Sequence, residues 1–358
     1  MLRAVMGAAK RRHWTCEAVF SPVARDRVWL DELREDGIPF RFAPSVSRSD
    51  VSGLVAALLS ESDEPTILHS HFTTFDIPCV LAARRRRATP VIWHVHTPHG
   101  HSLGLRARNH VKYGVLGRRV ERILCVSSEL ADVVTKRGAP RDRVTHMPNA
   151  IDADRFRLAS GTEREEARRA LELRSGQQVL VHFGWDWHRK GGDLFCETVA
   201  RLRDAGRDVV GVTVGSRGPA EPAAQRLGLP PELLRVHESR EDVRAFYAAA
   251  DVFVAPSRAE GTPYSLLEAV SSGTGVVASD IPGHGDIGRN VPACRLVPLE
   301  TAALADAAAT LLDRPAQQTE RDARAGHDWV RQHRHLTRWT EALVELYETA
   351  LTGSGAAA

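Results

Sequence analysis

Two carboxylates with seven residues between them open the chemistry of this sequence: Glu260 and Glu268, in the stretch APSRAEGTPYSLLEAVSSGTGVVASD at 255–280. Glu268 sits between Leu266–Leu267 and Ala269–Val270, on what reads as a buried helix. An ionised carboxylate among leucines costs several kcal/mol when it stands alone, so the position predicts a committed partner. Sugar hydroxyls would serve; the plain structural alternative is a side chain turned to solvent or paired with an arginine. Thr262 followed by Pro263 is an N-cap and first-turn signature, which starts the helix near Pro263, and Gly273 suits its left-handed end. The helix start, with Gly261, Thr262, Tyr264 and Ser265, offers unpaired N–H groups and a partial positive charge suited to a phosphate or pyrophosphate.

Histidine is the other concentrated chemistry, with seven of the sixteen falling within 69–110: His69, His71, His94, His96, His99, His101 and His110. HSH and HVH are His-x-His pairs that strands would present on one face, a spacing used in metal-dependent hydrolases. A hydrolase site would need further ligands converging from later strands of a single barrel. The chain instead reads as two separate sheets, so His69 and His94 are taken as packing residues and no essential metal is expected. The carboxylates of Asp152 and Asp154 fall in the linker and do not change this.

The elements that must position these residues alternate throughout. Strands are expected at CEAVF, PFRFAP, TILHSHF, PVIWHVH, RILCVS and RVTHMP, and again at QVLVHFGW, VVGVTVG, LRVHE, VFVAPS, GVVASD and CRLVP, with helical patterns between them. That alternation is the mark of βαβ units and parallel sheets. The period pauses at 150–175, around the polar GTEREEARRALEL, so two βαβ stacks are the economical description. Glu260, after VFVAPS, then stands at the carboxyl edge of a parallel sheet, where open α/β sheets bind ligands. The opening MLRAVMGAAKRRHW reads as the helix that follows a buried first strand; the strand itself is not seen.

A chain of 358 residues exceeds what one hydrophobic core usually serves. Apolar residues at 43% and charged residues at 26% exclude a disordered or fibrous protein. Residues 1–150 hold 23 Lys/Arg against 15 Asp/Glu, and the remainder 25 against 30, so a basic front half precedes an acidic back half. The arginine run Arg84–Arg87 reads first as a solvated helix end and second as attraction to anionic lipid. No apolar run reaches membrane-spanning length, and the scattered cysteines form no C-x-x-C pair. A cytoplasmic location, with peripheral contact at the inner face of a membrane as the alternative, is the reading. Nucleic acid is not an expected partner, since no recognisable module accompanies the basic half.

The spacing Glu260-x7-Glu268 within PSRAEGTPYSLLEAVSSGTGVVASDIPG resembles the signature of retaining glycosyltransferases of family 4 (glycosyl transferases group 1), which have the GT-B fold. The similarity covers nearly the whole chain. RILCVSSELADVVTKRGAPRDRVTHMPNAIDADRF is similar to the family's approach to its interdomain linker, with Ala150 where glycine is usual. VHFGWDWHRKGGDLFCETVARL resembles its first strand and donor loop, and REDVRAFYAAADVFVAPS the segment before the signature. By this resemblance Glu268 holds the ribose of a nucleotide-sugar, Glu260 faces the sugar being transferred, and Lys190 with Arg189 neutralises the diphosphate as its bond to the sugar breaks. HRKGG on its own would be a solvated basic turn. Trp185 stands where the family commonly has an arginine, which leaves more of the phosphate charge to Lys190 and the helix start. The resemblance places His96 near the transferred sugar, with His99 as the rival position.

The expected architecture is thus α/β and GT-B, two Rossmann-like doubly wound domains facing across a cleft: 1–150 on the acceptor side, 151–335 on the donor side, a helix at 336–352 crossing back to the first domain, and a disordered tail at 353–358. The expected activity is transfer of a sugar, with retention, from a nucleotide-diphosphate sugar to a hydroxyl acceptor that is a glycan, a lipid-linked molecule or a small molecule, with no cofactor. Two rivals are a catalytically impaired binding protein of the same fold and a metal-dependent hydrolase on the histidine cluster.

Overall fold

The computed structural model describes residues 1–27, 29–86, 89–97, 103–240 and 242–355. It divides into two compact units, Met1–Pro148 with Leu336–Ala358, and Asn149–His335. Each of the twelve strands expected from the alternation is present among the described residues, shortened at the ends by a residue or two.

In the first unit β1 (Ala18–Phe20) and β2 (Phe40–Phe42) form a parallel pair. The strands β3 (Leu68–Ser70), β4 (Val91–Val95), β5 (Arg122–Cys125) and β6 (Val144–His146) form a second parallel sheet in sequential order. Every residue of β4 is buried, as a central parallel strand covered on both faces must be. The helix Leu2–Arg11 is the first element of the chain. Beside β4 lies a buried ion pair between Lys112 and Asp76, whose side chains are 2% and 3% exposed. Ser70 Oγ donates to Asp76 Oδ1 at 2.6 Å, and the Trp93 indole donates to the Asp76 carbonyl at 3.0 Å. Burial raises the Asp76 carboxyl against the opposing pull of Lys112 and Ser70. The last helix, Leu336–Gly355, belongs to this unit and runs on past residue 352, where the sequence placed its end.

The second unit is a six-stranded parallel sheet in the order β12-β11-β10-β7-β8-β9: β7 (Gln178–Phe183), β8 (Val209–Val214), β9 (Leu234–His237), β10 (Val252–Ala255), β11 (Gly275–Ser279) and β12 (Cys294–Val297). The chain winds outward from β7 to β9, returns to pair β10 with β7, and winds outward again on the other side. The carboxyl ends of β7 and β10 therefore flank the topological switch point. One core on each face of the sheet is built from its valines and from helices such as Gly192–Asp204 and Tyr264–Ser271. No helix among the described residues is long and apolar enough to cross a membrane.

Candidate functional site

Two loops leave the sheet at the switch point, 184–191 after β7 and 256–263 after β10. Their close approach decides one residue type. A side chain at Gly191 would put its Cβ 1.9 Å from the Pro256 carbonyl oxygen, and its φ of +72° lies in the left-handed region that favours glycine. Arg258 locks the two loops together. Its backbone N–H donates to the Arg189 carbonyl at 2.8 Å, its guanidinium donates to the His188 carbonyl at 2.5 Å, and it forks onto Asp193 at 2.7 and 2.9 Å.

This clamp brings three of the expected residues together. Lys190 Nζ lies 2.7 Å from Glu260 Oε1, with both side chains 8% exposed, and the Arg189 guanidinium reaches the same oxygen at 3.0 Å. Arg189 also donates to the Ala259 carbonyl at 3.2 Å and pairs with Asp186 at 2.7 Å. Two cations thus converge on one buried carboxylate oxygen. Trp185 is half-exposed, with its ring 5.1 Å from Lys190 Nζ, so an aromatic face borders the ammonium in a cation–π contact.

The helix carrying Glu268 spans Tyr264–Ser271 and begins one residue later than expected. Pro263 occupies the cap position and no side chain caps it, so Thr262 is not the N-cap. The reason lies far away in the chain: the Thr262 carbonyl accepts from Asn149 Nδ2 at 2.7 Å, which commits the chain there to the turn from the loop. The other end agrees with expectation, Gly273 following the helix at φ +81°. Gly261 and Thr262 are buried, Ser265 is 6% exposed and Tyr264 38% exposed.

Glu268 is partly buried, and its hydrogen-bond partner is a tyrosine and not an arginine. Tyr247 Oη donates to Glu268 Oε2 at 2.9 Å and lies 3.0 Å from the Ser265 carbonyl. Burial pushes the Glu268 carboxyl up from an ordinary 4.5 to about 7, against the smaller opposing effects of the Tyr247 hydrogen bond, Arg155 and Lys190. A carboxylate so placed is poorly solvated yet retains accepting capacity for hydroxyl donors. Sequence reasoning missed Tyr247, although a tyrosine inside the apolar run AFYAAADVFV signalled a buried phenol in need of an acceptor. It also missed His284, fully buried, whose Nδ1 lies 2.8 Å from the Ser279 carbonyl while Nε2 has no partner. Gly283 beside it touches the Glu260 turn, where a Cβ would lie 2.4 Å from the carbonyls of Glu260 and Gly261.

In the first unit the four histidines of HSH and HVH share one face. His71 Nδ1 and His96 Nε2 are 3.1 Å apart, and burial first, with His71 second, drives His96 down to about 3. His99 lies outside the described residues.

Comparisons with known proteins bear on the family and the fold. The model of the family described as Glycosyltransferase Family 4 matches residues 13–155, and that described as Glycosyl transferases group 1 matches 177–314. Among curated relatives, a 2-deoxystreptamine glucosyltransferase of Streptomyces kanamyceticus is 31% identical over 60% of this chain and 56% of its own length. A phosphatidyl-myo-inositol mannosyltransferase of Mycobacterium tuberculosis is 29% identical over 88% of this chain and 80% of its own. The chain therefore spans little more than half of the first of these. The Anabaena protein Alr3699/HepE, solved in complex with UDP and glucose, superposes with a TM-score of 0.81 over 97% of this chain and 95% of its own, at 18% identity.

Proposed function

Because the chain belongs to the glycosyltransferases of GT-B fold related to family 4 (glycosyl transferases group 1), we propose that it transfers a sugar from a nucleotide-diphosphate sugar to a hydroxyl acceptor, with retention at the anomeric carbon, in the synthesis of a glycan, a glycolipid or a cell-envelope polysaccharide. The observation that carries this reading is the convergence of Lys190 and Arg189 on Glu260 at the switch-point edge, with Glu268 set into the adjoining helix.

Each group then has a task. Glu268 accepts hydrogen bonds from the ribose hydroxyls. The diphosphate draws Lys190 and Arg189 from Glu260, which is freed to orient hydroxyls of the transferred sugar. Gly261, Thr262, Tyr264 and Ser265 present the helix start to the phosphates. As the bond from the anomeric carbon to the phosphate oxygen breaks, negative charge grows on the leaving phosphate next to the two cations. A fixed charge aimed at a developing one typically contributes 10²- to 10³-fold in rate. The acceptor hydroxyl forms the new bond and gives its proton to the leaving phosphate oxygen. His96 is assigned a hydrogen bond to a sugar hydroxyl. Relatives named for glucose and mannose transfer, and a neighbour holding UDP and glucose, support a hexose on a nucleoside diphosphate.

The test is turnover with a panel of isotope-labelled nucleotide-sugars, preceded by thermal-shift screening to find the donor that stabilises the fold. The expected result is a transferred sugar of unchanged anomeric configuration, and loss of transfer in Glu260→Gln and Glu268→Gln. Stabilisation without turnover would favour the impaired binding protein, and wild-type rates in both variants would overturn the site.

A further inference from the structure

Four histidines on the face of one parallel sheet are unusual company. β3 and β4 run in register with His69 opposite Ile92 and Ser70 opposite Trp93, so His69, His71, His94 and His96 project to the same side while Ser70, Trp93 and Val95 project to the other. Their rings form a tight patch: centroids lie 4.2 Å apart for His69–His71 and for His94–His96, and 5.3 Å apart for His71–His94. The last helix covers this patch, with Trp339 stacked 6.0 Å from His94 and the Tyr347 ring 5.6 Å from His69.

What distinguishes the patch from ordinary packing is unmet polarity. His94 is 1% exposed and neither of its ring nitrogens has a hydrogen-bond partner; Nε2 of His69 is sealed from solvent without one. Each such group forfeits about 1–3 kcal/mol of hydration, and buried orphans of this kind call for an explanation. The opposite nitrogen of His69, Nδ1, contacts the Tyr347 hydroxyl. That arrangement fixes the ring and leaves Nε2 pointing inward, as outer hydrogen bonds do for metal-bound imidazoles. One ring nitrogen from each of His69, His71 and His94 lies within 4.8 Å of the others.

We propose that His69, His71 and His94 bind a single divalent transition-metal ion of the zinc, cobalt and nickel class, with the fourth position open to water. Imidazole nitrogens suit these ions and not magnesium or calcium. Zinc–nitrogen bonds of about 2.0–2.1 Å set tetrahedral ligand atoms about 3.3 Å apart, so the three rings must draw inward by an ångström or so. The ion would brace β3, β4 and the last helix; it takes no part in the sugar transfer proposed above, and the inference stands independently of that reading.

Chelator-stripped protein titrated with cobalt chloride alone tests it. One equivalent should bind and give the visible d–d bands of a tetrahedral site, and zinc should displace it. His71→Ala, His94→Gln and Tyr347→Phe should each weaken cobalt affinity at least about tenfold, while His110→Ala, at an exposed position, should not. Should His94→Gln fail to fold by far-UV circular dichroism, His71→Ala, at a half-buried position, decides. Absence of d–d bands, or unchanged affinity in His71→Ala, would mean that water or surface histidines account for the observations, and the site would be refuted.

Discussion

Glu268 links the stability of the second unit to its proposed ligand through one proton. Raising a carboxyl from 4.5 to about 7 by burial is worth about 3 kcal/mol of destabilisation once the group is forced to ionise. The sign follows from the proton count. Between the two values the folded state keeps a proton that the unfolded state releases, so stability falls as pH rises, and the loss is complete above about 7. Glu268→Gln removes the titration while its amide oxygen can still accept from Tyr247. Between about pH 5 and about pH 8, wild type should therefore lose about 2–3 kcal/mol relative to the variant, a difference free of any constant cost of the substitution. Urea unfolding followed by tryptophan fluorescence at the two pH values measures it. A nucleotide-sugar that bonds the ionised carboxylate should pull its pKa down and expel up to about half a proton near pH 7, read by calorimetry in buffers of different ionisation enthalpy, and the variant should expel none. Parallel pH dependence of stability in the two proteins would refute the claim that burial of this carboxylate is the dominant influence upon it.

Three further outcomes follow from the geometry. Gly191→Ala places a Cβ against the Pro256 carbonyl at a left-handed φ and should cost at least about 2 kcal/mol; calorimetric melting should show the loss, and donor affinity should fall with it as Lys190 is displaced from Glu260. Trp185→Arg adds a cation beside Lys190, so the ligand-free protein should melt lower from like-charge repulsion while donor affinity rises about tenfold at low salt, with a steeper salt dependence in titration calorimetry. Lys112→Met leaves Asp76 buried without its cation and should cost about 3–5 kcal/mol, which denaturant unfolding measures; adding Asp76→Asn to it should restore part of that loss.

The contrast between what the sequence disclosed and what it withheld lies in the range of the interactions concerned. Every strand was legible because a buried parallel strand is a short β-branched run between turn residues, as in VVGVTV at 209–214, and that pattern is local. The spacing of Glu260 and Glu268 was legible for the same reason. Thr262 shows where local chemistry loses: its sequence context favoured capping, yet a hydrogen bond from Asn149, over a hundred residues away in the chain, engages its carbonyl and shifts the helix start. Tyr247 and Arg258 were missed likewise, since the value of a phenol or a guanidinium depends on what the fold sets opposite it. The histidines make the sharper case. His69 and His94 read as packing because hydrolytic metal chemistry demanded a barrel, and the two-sheet reading removed the barrel. Adjacent strands in register need no barrel to gather three imidazoles, and only the structure shows that both ring nitrogens of His94 and Nε2 of His69 lack a hydrogen-bond partner. Excluding one metal-dependent reaction therefore left open a metal held for structure, a distinction that a spacing rule cannot draw and a tally of unmet hydrogen bonds can.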